Sequence, residues 1–232
     1  MRFSFSALKT KPSVHFLHIG KNAGTAITHM LSEINSDPSV ALHFERHAHD
    51  VVLSDLDANA AYFFSIRNPI ERFLSGFYSR KRKGQPRIYN EWDIYEEKAF
   101  HAFPDANDLA ESLFQEGKLG QLAIEAMTGI KHVNTMQYHW LGPLQWVFEQ
   151  RPPVMILRQN FLHDDLALLL NRLEVKKTFI LPKEPVKTHE NNYSGVPGLT
   201  EKAQANLKKW YAPDIWFYEQ ASLWAQKQHQ EV

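Results

Sequence analysis

One short segment, residues 15–27 (HFLHIGKNAGTAI), constrains the fold of this chain more than any other. An apolar run ends at Ile19, a turn containing Gly20, Lys21 and Gly24 follows, and apolar residues at helical spacing come next. The pattern predicts a buried strand, a tight turn and the first turn of a helix. Such a junction directs backbone N–H groups, the positive end of a helix dipole and one lysine at a single point. The segment is therefore typical of a cradle for a phosphate or sulfate group.

A second strand–turn–helix segment covers residues 61–78 (AYFFSIRNPIERFLSGFY). Its aromatic apolar run predicts a central strand, and Pro69 suits the first position of the helix that follows. Arg67 comes at the end of the predicted strand, and Ser75 lies further along the helix. An arginine fork binds phosphate through two hydrogen bonds, and a serine hydroxyl adds a donor. These residues predict a second anion site, unless Arg67 pairs with Glu71 and Ser75 serves only as a small packing residue.

Together the two segments resemble the nucleotide-binding signature of the sulfotransferases that use 3′-phosphoadenosine 5′-phosphosulfate (PAPS). The first segment is similar to the family's 5′-phosphosulfate loop, Lys-Thr-Ala-Gly-Thr, and reads Lys21-Asn22-Ala23-Gly24-Thr25. Asparagine stands where that motif has its first threonine. The second is similar to the family's 3′-phosphate motif, Arg-x-Pro-x-x-Arg-x-x-Ser-x-x-Tyr, which is complete in Arg67, Pro69, Arg72, Ser75 and Tyr78. The His18-Ile19 ending of the first strand is nearest to the carbohydrate-type branch of the family.

The resemblance implies transfer of a sulfuryl group from PAPS, as co-substrate, to a hydroxyl of a saccharide or glycolipid. It implies that the nucleotide is bound by Gly20, Lys21, Asn22, Ala23, Gly24, Thr25, Ala26, Arg67 and Ser75. Lys21 is also expected to be catalytic, because a fixed ammonium stabilises the negative charge that grows on the bridging oxygen. The alternative is an ordinary strand–helix turn in which Lys21 is solvated.

An acceptor hydroxyl needs a base, and histidine is the natural candidate near neutral pH. Two histidines, His47 and His49, follow a strand predicted at residues 40–44. In the carbohydrate-type branch a His-x-His pattern at this place supplies the base, which implies that His49 is the base and His47 its neighbour. Glu45 is an acidic second choice. The alternative is a histidine cluster at the surface.

A zinc enzyme is one rival class that the histidine-rich segment suggests. The chain has no cysteine and no His-Glu-x-x-His motif, and sulfuryl transfer needs no metal, so we expect no metal. A P-loop nucleotide kinase is a second rival. Lys21 precedes Gly24 instead of following it, and the strand at 61–66 is followed by Arg67 in place of a magnesium-binding aspartate. A nucleotide-binding module without catalysis is the third.

Composition bounds the remaining choices. The 232 residues, 44% of them hydrophobic, predict one large globular domain over residues 1–232. The balance of 26 Lys+Arg against 26 Asp+Glu argues against a nucleic-acid partner. The absence of cysteine suits a reducing compartment. A polar N-terminal stretch and no long apolar run predict no integral membrane segment, so a cytoplasmic, bacterial enzyme is the expectation.

Strands that alternate with helices predict an α/β fold with a mainly parallel sheet of four to five strands, helices on both faces and a P-loop-like phosphosulfate-binding loop. The predicted strands are residues 14–19, 40–44, 61–66 and 154–157. Helices are predicted at residues 25–34, from Pro69 to the basic run at 80–84, and at 107–116, 119–127, 161–173, 200–209 and 210–224, the last with an interruption near Pro213. Residues 85–103 are predicted to be irregular and to contribute to the acceptor pocket, and the polar residues 187–194 to cover the nucleotide.

Overall fold

The computed structural model describes residues 11–86, 88–177, 179 and 197–230. Within them lies one sheet of four parallel strands in the order β2-β1-β3-β4. The strands are β1 (Ser13–Leu17), β2 (His43–Arg46), β3 (Ala61–Ile66) and β4 (Met155–Arg158). The predicted class is confirmed: a single α/β domain whose parallel sheet is flanked by helices. The loop at residues 187–194, predicted to cover the nucleotide, lies outside the described residues.

Helices connect β1 to β2 and β3 to β4, and further helices follow β4. They are α1 (Gly24–Asn35), α2 (Pro69–Lys81), α3 (Ile94–Ala102), α4 (Ala106–Ser112), α5 (Lys118–Gly129), α6 (Leu144–Gln150), α7 (Leu162–Arg172), α8 (Glu201–Trp210) and α9 (Ala212–Gln230). Short 3₁₀ turns occupy Leu53–Asp55, Gln137–Trp140 and Gln159–Phe161. Across the described part of the chain, no helix has both the length and the apolar content that crossing a bilayer requires.

Apolar side chains pack on both faces of the sheet. Phe16 and Phe63 point to one face and meet α1 and α7. Leu17 and Phe64, one residue further along each strand, point to the other face and meet α6 and α9. This alternation follows from the two-residue period of a strand. A third apolar cluster joins α2 to α3, α4, α5 and α8 beside the sheet.

Parallel strands bring their carboxyl ends to one edge of the sheet, where folds of this kind bind ligands. Because β1 and β3 are paired neighbours, the turn after Leu17 and the turn after Ile66 lie side by side. Lys21 belongs to the first turn and Arg67 to the second. Both residues therefore lie at the carboxyl ends of neighbouring strands.

Several local predictions were wrong for identifiable reasons. Residues 94–102 are helical, because Asp93 caps α3 through its side chain. Pro213 does not interrupt a helix: it lies in the first turn of α9, where proline is tolerated. Strand β2 begins three residues later than predicted, because its pairing with β1 starts at His43 opposite Ser13.

Candidate active site

The turn between β1 and α1 has the backbone of an anion cradle. Lys21 and Ala23 both adopt left-handed conformations, with φ of 70° and 62°. Residues in this conformation direct successive backbone N–H groups into a concavity. Ala23 is the residue that precedes α1, and it provides no side-chain cap for the helix. The first N–H groups of α1 therefore face the turn without a capping side chain from Ala23.

The ring of His18 explains why Gly24 begins the helix. A Cβ atom added to Gly24 would lie 1.8 Å from Nε2 of His18, and the His18 ring is buried. The ring therefore occupies the space that any other residue at position 24 would need. At Gly20 the nearest atom to an added Cβ would be Nδ1 of His132, at 3.4 Å, so that glycine lies beside a histidine without being crowded.

Asn22, which replaces the motif's threonine, ties the turn to β3. Its side chain is fully buried, and its Nδ2 donates to the carbonyl of Ser65 at 2.7 Å and to Oε1 of Gln137 at 2.7 Å. Ser65 returns a bond from its hydroxyl to the carbonyl of Asn22 at 2.6 Å. The Asn22 side chain thus acts inside the protein, which leaves its backbone N–H as the group to contact an anion.

Arg72 of the second motif is buried and holds two loops together. The side chain is 2% exposed, its Nε donates to the carbonyl of Gly20 at 2.9 Å, and its Nη1 donates to the carbonyl of Thr135 at 2.7 Å. Arginine suits this task because its planar donors reach several carbonyls at once. The Arg72 side chain therefore fixes the turn between β1 and α1 to the segment that follows α5.

The side chain of Gln137 holds the backbone of Arg67, and the Arg67 side chain lies near Glu71. Its N–H donates to Oε1 of Gln137 at 3.0 Å, and its carbonyl accepts from Nε2 of Gln137 at 2.9 Å. The guanidinium Nε lies 3.6 Å from Oε2 of Glu71 and is buried without a hydrogen-bond partner among the described residues. The structure is thus compatible with both interpretations of the sequence. Arg67 forms an ion pair with Glu71, and its Nε is also a donor that a bound anion could satisfy. Ser75 lies further along α2 and is buried.

Gln137 and Asp214 are supporting residues that the sequence did not point to. Asp214 accepts from the backbone N–H of Gln137 at 2.6 Å and from its Nε2 at 3.2 Å. Burial raises the pKa of Asp214. Gln137 thereby connects the turn between β1 and α1, the end of β3 and helix α9. No local pattern marks either residue, because the contacts join positions 70 and 77 residues apart.

Positive charge converges on the turn. Burial lowers the pKa of Lys21 to about 8, and the guanidinium groups of Arg82, Arg67, Arg72 and Arg80 also lower it. Arg80 is already matched by Glu96, whose carboxylate accepts from Arg80 Nε at 2.6 Å and from Nη2 at 2.5 Å. A bound anion would reverse the effect on Lys21, because an opposite charge nearby favours the protonated amine. The arrangement is that expected of a site for an anionic group.

The two candidate bases face different surroundings. Nδ1 of His49 lies 2.9 Å from the carbonyl of His18. A carbonyl only accepts, so Nδ1 carries the proton and Nε2 keeps the lone pair that a base needs. The backbone carbonyl of His49 accepts from Nε1 of Trp140 at 2.7 Å, which fixes the segment. His47 instead pairs with His15 at the edge of the sheet, with 2.9 Å between Nε2 and Nδ1.

His132 is a further histidine at the turn. It has a left-handed backbone, with φ of 69°, which is uncommon for a residue with a side chain. Burial lowers its pKa to about 3, as does the charge on Lys21. Its ring centroid lies 6.3 Å from that of His49. With twelve histidines in the chain, nothing in the sequence singled it out.

We expect the protein to lose stability as the pH falls below about 6.5, because His18 must stay neutral when folded. Burial lowers its pKa to about 3, whereas the unfolded histidine binds a proton at the ordinary value of 6.5. The contribution of neutral His18 to the free energy of unfolding is thus complete above pH 6.5. It declines by about 1.4 kcal/mol for each pH unit between 6.5 and 3.

Urea unfolding at several pH values between 5 and 7.5 measures this slope. His18→Leu should unfold with a shallower pH dependence, whereas His163→Leu, which replaces an exposed histidine, should follow the unsubstituted protein. Equal slopes for all three proteins would show that His18 does not carry the effect.

Comparison with protein families agrees with this geometry. The family model described as the sulfotransferase family matches residues 7–219, which is most of the chain. The chain therefore belongs to the sulfotransferase family. Membership supports a transferase that moves sulfuryl groups, and it implies PAPS as donor and a hydroxyl group as acceptor. No curated protein matches the chain.

Proposed function

We propose that this protein transfers the sulfuryl group of PAPS to a hydroxyl of a saccharide or glycolipid, by in-line attack and without a metal. The observation that carries the proposal is the convergence of Lys21 and several arginines on a turn whose backbone forms an anion cradle. A cytoplasmic location is part of the proposal and rests on the absence of cysteine.

The described residues fit the donor nucleotide. The cradle at residues 20–26 suits the 5′-phosphosulfate, because it offers backbone N–H groups and an ammonium that lacks a hydrogen-bonded carboxylate among the described residues. Arg67 suits the 3′-phosphate, since its Nε is buried and has no hydrogen-bond partner in the part of the chain that the structure describes. Ser75, on the helix α2 that follows Arg67, adds a hydroxyl. A buried donor that lacks an acceptor is costly unless a ligand satisfies it.

The proposed transfer is a single displacement at sulfur. The bond between sulfur and the bridging phosphate oxygen breaks, and a bond between sulfur and the acceptor oxygen forms. Lys21 stabilises the charge left on the phosphate, and Nε2 of His49 takes the proton of the acceptor hydroxyl. His47 is the second choice of base. Its orientation toward His15 favours His49 for this role.

The rival functions differ in what they need. A kinase requires a divalent metal, whereas the proposed transfer should proceed in excess EDTA. Incubation with PAPS labelled in its sulfuryl group, EDTA and a panel of saccharides and glycolipids therefore tests the proposal. Label on an acceptor supports it. Nucleotide binding with no transfer to any acceptor would favour a binding module without catalysis, and transfer that stops in EDTA would oppose the metal-free mechanism.

We expect 3′-phosphoadenosine 5′-phosphate (PAP) to bind more tightly than adenosine 5′-phosphate, because Arg67 and Ser75 have a ligand role only if a 3′-phosphate is present. Arg67→Ala should remove about 2–3 kcal/mol of PAP binding, as for a charged hydrogen-bonded pair. That is about a 30- to 150-fold loss of affinity. Isothermal titration calorimetry measures both nucleotides.

Arg46→Ala is the matched control for this experiment. Arg46 ends the neighbouring strand β2 and is exposed, so its loss should leave the preference for PAP unchanged. Equal affinity of the unsubstituted protein for the two nucleotides would contradict the assignment of the second motif.

A further inference from the structure

A cluster of two histidines and one glutamate lies at the edge of the sheet. His15 belongs to β1, Glu45 to β2, and His47 follows the end of β2. Nδ1 of His15 lies 2.9 Å from Nε2 of His47 and 3.5 Å from Oε2 of Glu45. One donor atom from each of the three residues lies within 4.8 Å of the other two. The proposed transfer reaction assigns these residues no role unless His49 is not the base, in which case His47 and then Glu45 are the alternatives.

The backbone fixes this juxtaposition. His15 and Glu45 are partners in the parallel register of β1 and β2. His47 lies two residues after Glu45, and the N–H of His47 donates to the carbonyl of Phe16 at 3.1 Å, which extends the pairing by one step. A two-residue step returns to the same face of a strand. The three side chains therefore share one face of a paired backbone and do not depend on a flexible loop.

The donor atoms match the preferences of one class of ion. Zinc takes imidazole nitrogen and carboxylate oxygen at about 2.0–2.2 Å, and neighbouring ligand atoms in a tetrahedral site are about 3.4 Å apart. The hydrogen bond between the imidazoles shows that a single proton bridges His15 and His47. If the donating ring takes its other tautomer, Nδ1 of His15 and Nε2 of His47 both offer lone pairs to a metal ion. The Glu45 side chain is 50% exposed, so solvent can supply a fourth ligand.

We propose that His15, Glu45 and His47 bind one zinc ion that joins β2 to β1. The ion's role is structural: it holds the edge strand β2, and His47 after it, against β1. This inference goes beyond the proposed function and does not depend on it, because sulfuryl transfer requires no metal. Magnesium should not bind here, since that ion prefers an octahedral set of oxygen ligands.

Calorimetric titration of the metal-free full chain with zinc chloride tests the proposal. We expect one equivalent to bind with a dissociation constant in the micromolar range or below and to raise the unfolding temperature. His15→Gln and Glu45→Gln should each weaken binding at least tenfold and remove most of the thermal shift. His163→Gln, at an exposed histidine of α7, is the matched control and should bind zinc as the unsubstituted protein does.

Misfolding of a variant must be distinguished from loss of a ligand. Glu45→Gln serves this purpose, because it keeps the size of the side chain and changes only its charge. Unfolding temperatures without metal show whether each variant is folded. Zinc affinity that is millimolar, that is unchanged in both variants, or that is equalled by magnesium would overturn the proposal. Sulfuryl transfer measured in EDTA is a separate experiment, so loss of zinc binding and loss of activity are distinguishable.

Discussion

Lys21→Ala should lower the turnover of sulfuryl transfer by about 10²–10³-fold, which is the usual cost of removing one group that stabilises transition-state charge. The ammonium sits in a cradle of left-handed backbone with several guanidinium groups nearby. Under the proposed function we expect it to stabilise the charge that develops on the leaving phosphate. PAP affinity should fall much less, because that charge grows mainly in the transition state.

Steady-state kinetics for turnover and calorimetry for PAP together test the role of Lys21. Lys118→Ala, which removes an exposed lysine of α5, is the control and should leave both unchanged. The pH profile adds a second reading. With a pKa of about 8, the free protein's Lys21 is charged below pH 8 and neutral above it, so kcat/KM for PAPS should decline above pH 8. A variant that keeps full turnover would remove Lys21 from the mechanism.

The parts of the fold that the sequence predicted are those with local causes. The turn at residues 20–25 and the turn after β3 each join a buried strand to a capped or glycine-started helix, and the residues that dictate them are adjacent in the chain. Parallel order was expected from the alternation of strands and helices, and it holds although the connection from β2 to β3 contains only a 3₁₀ turn. The carboxyl ends of β1 and β3 had to meet, which brought Lys21 and Arg67 to one edge.

The parts that sequence analysis missed depend on contacts between distant segments. Gln137 reaches Arg67 and Asn22 from a 3₁₀ turn, and Thr135 receives a bond from Arg72. Neither residue belongs to a recognisable motif. His132 and His15 were equally invisible among twelve histidines, because only the packing of the chain places them beside Gly20 and His47.

Asn22 shows how a departure from a motif can preserve its geometry. The family's threonine is replaced by a side chain that is fully buried and satisfies the carbonyl of Ser65 and the amide of Gln137. An anion cradle made of backbone N–H groups needs a fixed backbone more than it needs a particular side chain at this position. The substitution is therefore compatible with anion binding. The Asn22 side chain also connects the loop to Gln137, which in turn is hydrogen-bonded to Asp214.

His49→Ala should lower turnover by about 10²–10⁴-fold, the usual contribution of a positioned base, with PAP binding nearly unchanged. The bond from Nδ1 of His49 to the carbonyl of His18 leaves Nε2 as the free acceptor, and the bond from Trp140 holds the backbone at that position. The His49 ring lies beside Gly20, whose added Cβ would be 3.7 Å from Nδ1.

His47→Ala is the matched comparison, because His47 lies two residues away but faces His15 and Glu45. It should cost turnover much less than His49→Ala does. Single-turnover transfer to a confirmed acceptor isolates the chemical step, and calorimetry with PAP shows that the nucleotide site is intact. The reverse order of the two effects would make His47 the base. Full activity in both variants would exclude the His-x-His pair, and Glu45, the acidic alternative in this segment, would then be the next group to substitute.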